Sequence, residues 1–73
     1  MSRAVHTYRE LEAIAIPDDV PTLGIEAGTR GVVDRVYDHG RKVHVEAIRD
    51  GETVGFVTIE PEPEPHVVAA YPV

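Results

Sequence analysis

His44 and Glu46 are the side chains whose types and spacing come nearest to a metal site. They lie two positions apart in the run Lys42–Arg49, so as strand residues they would project from one face. His39, in the preceding turn, adds a second imidazole, and such nitrogen and oxygen ligands suit several divalent metals. The spacing matches no zinc motif and the chain has no cysteine. We therefore predict no metal and no cofactor. The alternative is a metal site at His44 and Glu46.

General acid–base catalysis is the second chemistry to consider, with Asp34, Glu46 and the histidines as candidates. A catalytic pair must converge in a pocket, and a chain of 73 residues has little interior left for one. The sequence also has no cysteine nucleophile, no Gly-x-Ser-x-Gly elbow and no phosphate-binding loop. We therefore predict that the protein is not an enzyme.

Basic residues are concentrated in the middle of an acidic chain. The formal net charge is −6, from thirteen acidic and seven basic residues. Four central cations, with Tyr37, would form a KOW-like surface for RNA: Arg30, Arg35, Arg41 and Lys42. Backbone phosphates dominate affinity for nucleic acid, so the missing basic surplus argues against such binding. The competing explanation is that these cations form cross-strand pairs with Asp34, Glu46 and Glu52, each pair contributing well under about 1 kcal/mol.

Contact with another protein is the first functional hypothesis. A small barrel exposes a groove between its loops and has edge strands that accept a partner strand. The groove would lie between Tyr37, the Pro17–Gly24 loop and the Asp50-Gly51 turn. The residues predicted to bind the partner are Tyr37, Pro17, Val20, Leu23, Arg35 and Arg41. A domain of this size buries only about 60% of its unfolded surface, so a homodimer or a role as accessory subunit would suit it.

Three strands separated by turns would position these side chains. Lys42–Arg49 has the clearest period of two, with Val43, Val45 and Ala47 pointing inward. Asp38–Arg41 reads as a hairpin turn, and Asp50-Gly51 is the strongest hairpin signal in the chain. The other two central strands are predicted over residues 31–37 and 52–59.

The flanking segments complete the predicted domain. Residues 1–10 are an N-terminal arm, and Leu11 to Ile16 is a first strand that Pro17 stops. In the loop that follows, Val20, Leu23 and Ile25 are expected to fold back over the open end of the barrel. Residues 60–65 alternate glutamate and proline and predict an extended polyproline link, and residues 66–71 give a closing strand.

Localisation follows from what the chain lacks. No hydrophobic run approaches the roughly 18 residues needed to cross a bilayer, and the first residues do not resemble a secretory signal. We expect a cytoplasmic protein with no membrane partner.

Glycines and valines recur in a fixed pattern over residues 23–33, Val36-Tyr37-Asp38, Val43-His44-Val45-Glu46-Ala47 and Asp50-Gly51-Glu52-Thr53. This pattern resembles the DUF4926 family of small bacterial domains, and the resemblance covers residues 11–60. It implies an SH3-like barrel and no established activity. Ala47 stands where the family usually has an aromatic residue, and the proline–glutamate run replaces a shorter link. The combined prediction is an all-β domain over residues 11–73, a five-stranded SH3-like (KOW-like) antiparallel barrel.

Overall fold

The computed structural model describes residues 7–73 and shows one antiparallel sheet of five strands. Each strand neighbours the next one along the chain, so the sheet is a simple meander. The strands are β1 (Ala13–Ala15), β2 (Arg30–Tyr37), β3 (Lys42–Arg49), β4 (Glu52–Glu60) and β5 (His66–Pro72), with a 3-10 helix at Pro21–Leu23 between β1 and β2. The all-β prediction is confirmed. No helix in this part of the chain is long enough to cross a membrane.

The sheet is not closed into a barrel. Within residues 7–73 no ladder joins β1 to β5, and β1 pairs with only Arg30 to Val32 of β2. The core face is covered instead by residues 16–25, which we call the crossing loop. At its β5 side the Val67 N–H donates to Asp18 Oδ2 at 2.7 Å. A loop, rather than a strand pairing, therefore links the two ends of the sheet.

The core lies between one face of the sheet and the crossing loop. Val43, Val45 and Ala47 of β3 are fully buried, which confirms the predicted inward set. The loop contributes Val20, Leu23 and Ile25, which are 4%, 7% and 4% exposed. They fold back onto the core as predicted, but they cover one face of an unclosed sheet and not the open end of a barrel. The remaining buried core residues are Ile16, Val33, Val57 and Ile59.

Gly55 marks the place where the crossing loop touches the sheet most closely. A Cβ at this position would lie 2.6 Å from Leu23 Cδ2 and 2.6 Å from the carbonyl oxygen of Tyr71. Real Cβ atoms do not approach other atoms so closely, hence only glycine lets β4 sit against both neighbours. A glycine inside a strand indicates either a bend or a close backbone approach, and the structure shows the close approach.

The hairpin between β3 and β4 has the predicted turn chemistry. Asp50 and Gly51 both have positive φ, at 54° and 79°, which is the geometry of a two-residue turn that follows the sheet's own twist. Glycine adopts such angles without steric cost, and Asp tolerates them better than most residues.

The glutamate–proline segment differs from its prediction. Glu60 ends β4 and pairs with His66 at the start of β5, so residues 61–65 are the loop of a hairpin and contain a cis Glu62–Pro63 bond. An extended polyproline stretch of five residues would span about 15 Å. Paired antiparallel residues lie only about 5 Å apart, so the chain has to bend and the predicted extended link is wrong.

The predicted N-terminal arm, residues 1–10, lies mostly outside the described residues. In its described part, Tyr8 is half-buried and packs against the core. Burial raises the pKa of the Tyr8 phenol, and the nearby Glu12 carboxylate raises it further.

Candidate functional site

Aromatic side chains from four neighbouring strands gather on the face of the sheet opposite the core. The His44 ring stacks on Phe56 with centroids 5.4 Å apart and planes 11° apart. Tyr71 meets His44 edge-on at 6.2 Å. With Thr58 as the floor, they line an open cavity of about 600 Å³. We call the following residues the outer platform: Asp34, Arg35, Tyr37, His44, Phe56 and Tyr71.

Strand register explains why these rings meet. Core and outer positions alternate along a strand, so His44 faces outward because Val43 and Val45 face the core. Phe56 lies opposite Tyr71 in the β4–β5 ladder and diagonal to His44 across β3–β4, where His44 pairs with Thr58. Diagonal neighbours are within reach for aromatic side chains. The platform is thus built by three adjacent strands, with β2 adding Tyr37 at its end.

A bulge in β2 supplies the charged part of the platform. The β2–β3 register shifts between Val33 and Arg35, so Asp34 is an extra residue opposite β3. Its carboxylate Oδ2 lies 3.2 Å from His44 Nδ1 and accepts a hydrogen bond when that nitrogen carries the proton. The Asp34 side chain is 58% exposed and the His44 side chain 29% exposed. The carboxylate therefore orients the imidazole and still faces solvent.

Large aromatic groups remain accessible on this face. Tyr37 is 39% exposed and Tyr71 is 50% exposed, whereas Thr58 is 5% exposed and closes the floor. Tyrosine offers a ring face and a polar hydroxyl at once, which is why it is common at binding surfaces. The arrangement is suited to reversible contact with another molecule.

His44 and Glu46 have separate hydrogen-bond partners. Both side chains lie on the outer face, but His44 contacts Asp34, and Glu46 Oε2 accepts a hydrogen bond from Thr53 Oγ1. Over residues 7–73, no group of three or more histidine or acidic side chains is placed to hold a metal ion. His39 lies in the exposed β2–β3 turn.

Two of the four central cations pair with carboxylates of the same chain. Arg41 Nη2 lies 3.3 Å from Asp38 Oδ1, and Lys42 Nζ donates to Glu60 Oε2 at 3.0 Å. That hydrogen bond and the charge of Glu60 raise the pKa of Lys42, and the same contacts lower the pKa of Glu60. Two of the four predicted RNA-contacting cations are thus paired with carboxylates. The carboxylates are those of Asp38 and Glu60 and not the expected ones.

The groove predicted from the sequence does not form from its named residues. Tyr37 lies at the end of β2 opposite Lys42, whereas Arg49 at the other end of β3 donates to Gly24 O of the crossing loop at 2.6 Å. The Gly24 end of the loop and the Asp50-Gly51 turn therefore lie at the end of the sheet away from Tyr37, and the loop covers the core face whereas Tyr37 lies on the opposite face.

Burial removes the loop residues from the predicted surface. Val20 and Leu23 are core residues, since a domain this small has few aliphatic groups with which to fill its interior. Pro17 is half-buried and Arg41 lies in the exposed β2–β3 turn. Tyr37 and Arg35 are the predicted contact residues that the structure places on the outer platform.

Sequence reasoning missed Phe56 and Tyr71. Phe56 sits between the buried Gly55 and Val57, so the alternation that placed Val45 inward also places Phe56 outward. Tyr71 follows a register shift between Thr58 and Ile59 in the β4–β5 ladder, and alternation alone does not fix its face. The signal for Phe56 was present in the sequence, and the signal for Tyr71 was not.

Similarity to known proteins adds nothing to this site. Comparison of the chain with protein-family models, with curated proteins and with solved structures finds no match. The resemblance to the DUF4926 family is accordingly a proposal, and the functional argument depends on the outer platform.

Proposed function

We propose that the chain is a non-enzymatic interaction module that binds a partner protein through the outer platform. The observation that carries the proposal is the exposed aromatic surface of Tyr71 and Tyr37 around the His44–Phe56 stack. A single sheet usually solvates one face with polar side chains, so a ring cluster there is costly unless it is covered in use. Buried aromatic anchors are also the residues that contribute most to protein interfaces.

The proposal includes the SH3-like fold of the DUF4926 type. The meander order of the strands and the crossing loop over the core support it. In this arrangement the loop completes the core that a closing strand pair would complete in a barrel. The outer platform is then the face on which the module presents its contacts.

Contact with single-stranded RNA is the second candidate function. The observation that favours it is the stack of rings on neighbouring strands, since bases stack on such aromatic surfaces. Arg35 would supply a cation beside the rings. A net charge of −6 and the pairing of Arg41 and Lys42 with carboxylates favour the protein partner.

The test is affinity capture from the cell that makes the protein, with variants that change only the exposed surface. Tyr71→Ser and Tyr37→Ser remove platform rings, and Leu11→Ser is the matched control because Leu11 is 83% exposed and lies before β1. Truncating an anchoring aromatic costs about 2 kcal/mol, roughly 30-fold in affinity. We expect wild type and the control to retain the same protein, and the tyrosine variants to lose it.

The same experiment distinguishes an RNA partner from a protein partner. Capture that is lost after ribonuclease treatment, falls steeply with salt and is abolished by Arg35→Glu would establish the RNA function instead. Equal retention of the partner by all four proteins would exclude the outer platform as the contact surface.

A further inference from the structure

The sheet has two edges of very different length. β1 is 3 residues long and β5 is 7 residues long, and within residues 7–73 no strand lies beyond either one. An unpaired edge presents free N–H and C=O groups that can pair with another strand. β5 is therefore the edge with room for a partner.

The β5 edge is apolar and carries no charge. Residues 67–73 contain no acidic or basic side chain, although natural proteins commonly protect an edge strand with charges. Val68, Tyr71 and Val73 are 45%, 50% and 82% exposed, and they are three of the five exposed large hydrophobic residues in the described part of the chain. The exposed apolar surface is thus concentrated at this edge.

Backbone pairing with another strand is limited at both ends of the β5 edge. At its start the Val67 N–H is already bonded to Asp18 Oδ2 at 2.7 Å. At its end Pro72 has no N–H to donate. Between these limits lie Val68, which the β4–β5 register shift leaves without a partner on β4, and Ala69 to Tyr71. Ala69 is the middle residue of the part from Val68 to Ala70.

We propose that β5 pairs with β5 of a second copy, antiparallel and about a two-fold axis at Ala69. In this register Val68 lies opposite Ala70 of the other copy, so an exposed apolar side chain is covered at each end of the pairing. The arrangement is isologous and closes on itself.

The distribution of charge favours the β5 edge over the rest of the surface as the contact between two copies. Two molecules that each carry −6 repel one another over most of their surfaces. Residues 67–73 bring no charged side chain together, and only the Asp18 carboxylate lies at the start of this edge, so self-association costs less there than on the acidic surfaces. The paired sheets would leave only the three-residue β1 edges exposed. Because Tyr71 belongs to both β5 and the outer platform, the dimer would also join two platforms side by side.

The oligomeric state in solution tests the proposal directly. We expect sedimentation equilibrium from about 1 μM to about 1 mM, the range in which weak interfaces dissociate, to show a dimer for the wild type. Val68→Lys places two ammonium groups at the interface and should weaken the dimer at least about 10-fold. Leu11→Lys, the same change at an exposed leucine beside β1, should leave it unchanged. A wild type that stays monomeric over the whole range overturns the proposal.

A second measurement does not depend on how well Val68→Lys folds. The chain has no cysteine, so Ala69→Cys introduces a single thiol at the proposed axis. Opposed residues in antiparallel strands have Cα atoms about 4.5–5.5 Å apart, within the range that a disulfide spans. Mild oxidation should give a covalent dimer of Ala69→Cys and none of Leu11→Cys. A dimer that survives Val68→Lys, or a thiol at position 69 that does not crosslink, overturns the edge pairing.

Discussion

Replacing Gly55 with alanine tests the contact that positions the crossing loop on the sheet. The added Cβ would lie 2.6 Å from Leu23 Cδ2, 3.0 Å from Leu23 Cδ1 and 2.6 Å from the Tyr71 carbonyl oxygen. The leucine can turn away only by leaving the core, where it is 7% exposed. The carbonyl belongs to β5, so it can move only by distorting the β4–β5 ladder.

The size of the effect follows from these two constraints. Adding a methyl group to a packed core costs about 1–3 kcal/mol, and here neither neighbour can yield cheaply. We expect a loss near the upper end, about 3 kcal/mol in the free energy of unfolding. A small domain has a total of roughly 5 kcal/mol, so the variant should keep about 2 kcal/mol, stay folded without denaturant and unfold at a much lower urea concentration than wild type.

Urea unfolding followed by circular dichroism measures the loss, at one fixed protein concentration because self-association would shift the midpoint. Gly28→Ala is the matched control. Gly28 has φ +93° and nothing within 4 Å of its added Cβ, so it reports the backbone cost alone, about 1–2 kcal/mol. If Gly55→Ala costs no more than Gly28→Ala, the loop does not pack on β4 as described.

Two further predictions concern the ends of the sheet. Asp18→Ala removes the carboxylate that holds the β5 backbone, and we expect it to lower the free energy of unfolding in urea by about 1.5 kcal/mol; Glu26→Ala, an exposed acid of the same region, should change it by less than about 0.5 kcal/mol. The hydrogen bond from Lys42 lowers the pKa of the Glu60 carboxyl below its ordinary 4.5, so the stabilisation is present above pH 4.5 and is lost as pH falls through the lowered pKa. The urea midpoint of Glu60→Gln should therefore lie below that of wild type near neutral pH and approach it in acid. The control Glu62→Gln should have nearly the wild-type midpoint near neutral pH, so that no difference is present to disappear in acid.

The sequence predicted the central hairpins well, for a physical reason. β3 has the predicted bounds, Lys42–Arg49, because an unbroken alternation runs between two strong turn signals. β1 is shorter than predicted. Leu11 has φ +70°, which places it in a turn, and the Ile16 N–H donates to the Thr29 carbonyl oxygen just beyond the β1–β2 ladder. Local pattern therefore sets the strands that are flanked by tight turns and not the one followed by a long loop.

The outer platform could be predicted only in part. Register shifts in the β2–β3 and β4–β5 ladders decide that Asp34 reaches His44 and that Tyr71 faces Phe56. A bulge changes the face of every residue that follows it. The adjacent Val32 and Val33 break strict alternation and suit either a bulge or a strand buried on both sides, so they do not fix where the shift occurs. Val20 and Leu23 were predicted both to fold back onto the domain and to bind a partner. They are 4% and 7% exposed, so their burial leaves little surface for a partner.

The way this chain completes its core also determines which surfaces it exposes. In a closed barrel the first and last strands pair and no edge remains. Here the crossing loop supplies four of the buried residues, Ile16, Val20, Leu23 and Ile25, so the interior is filled without that pairing. β1 can then be 3 residues long, and β5 keeps its outer edge. Because β5 also bears Tyr71, the free edge and the outer platform meet at one strand, and a partner on either surface affects access to the other.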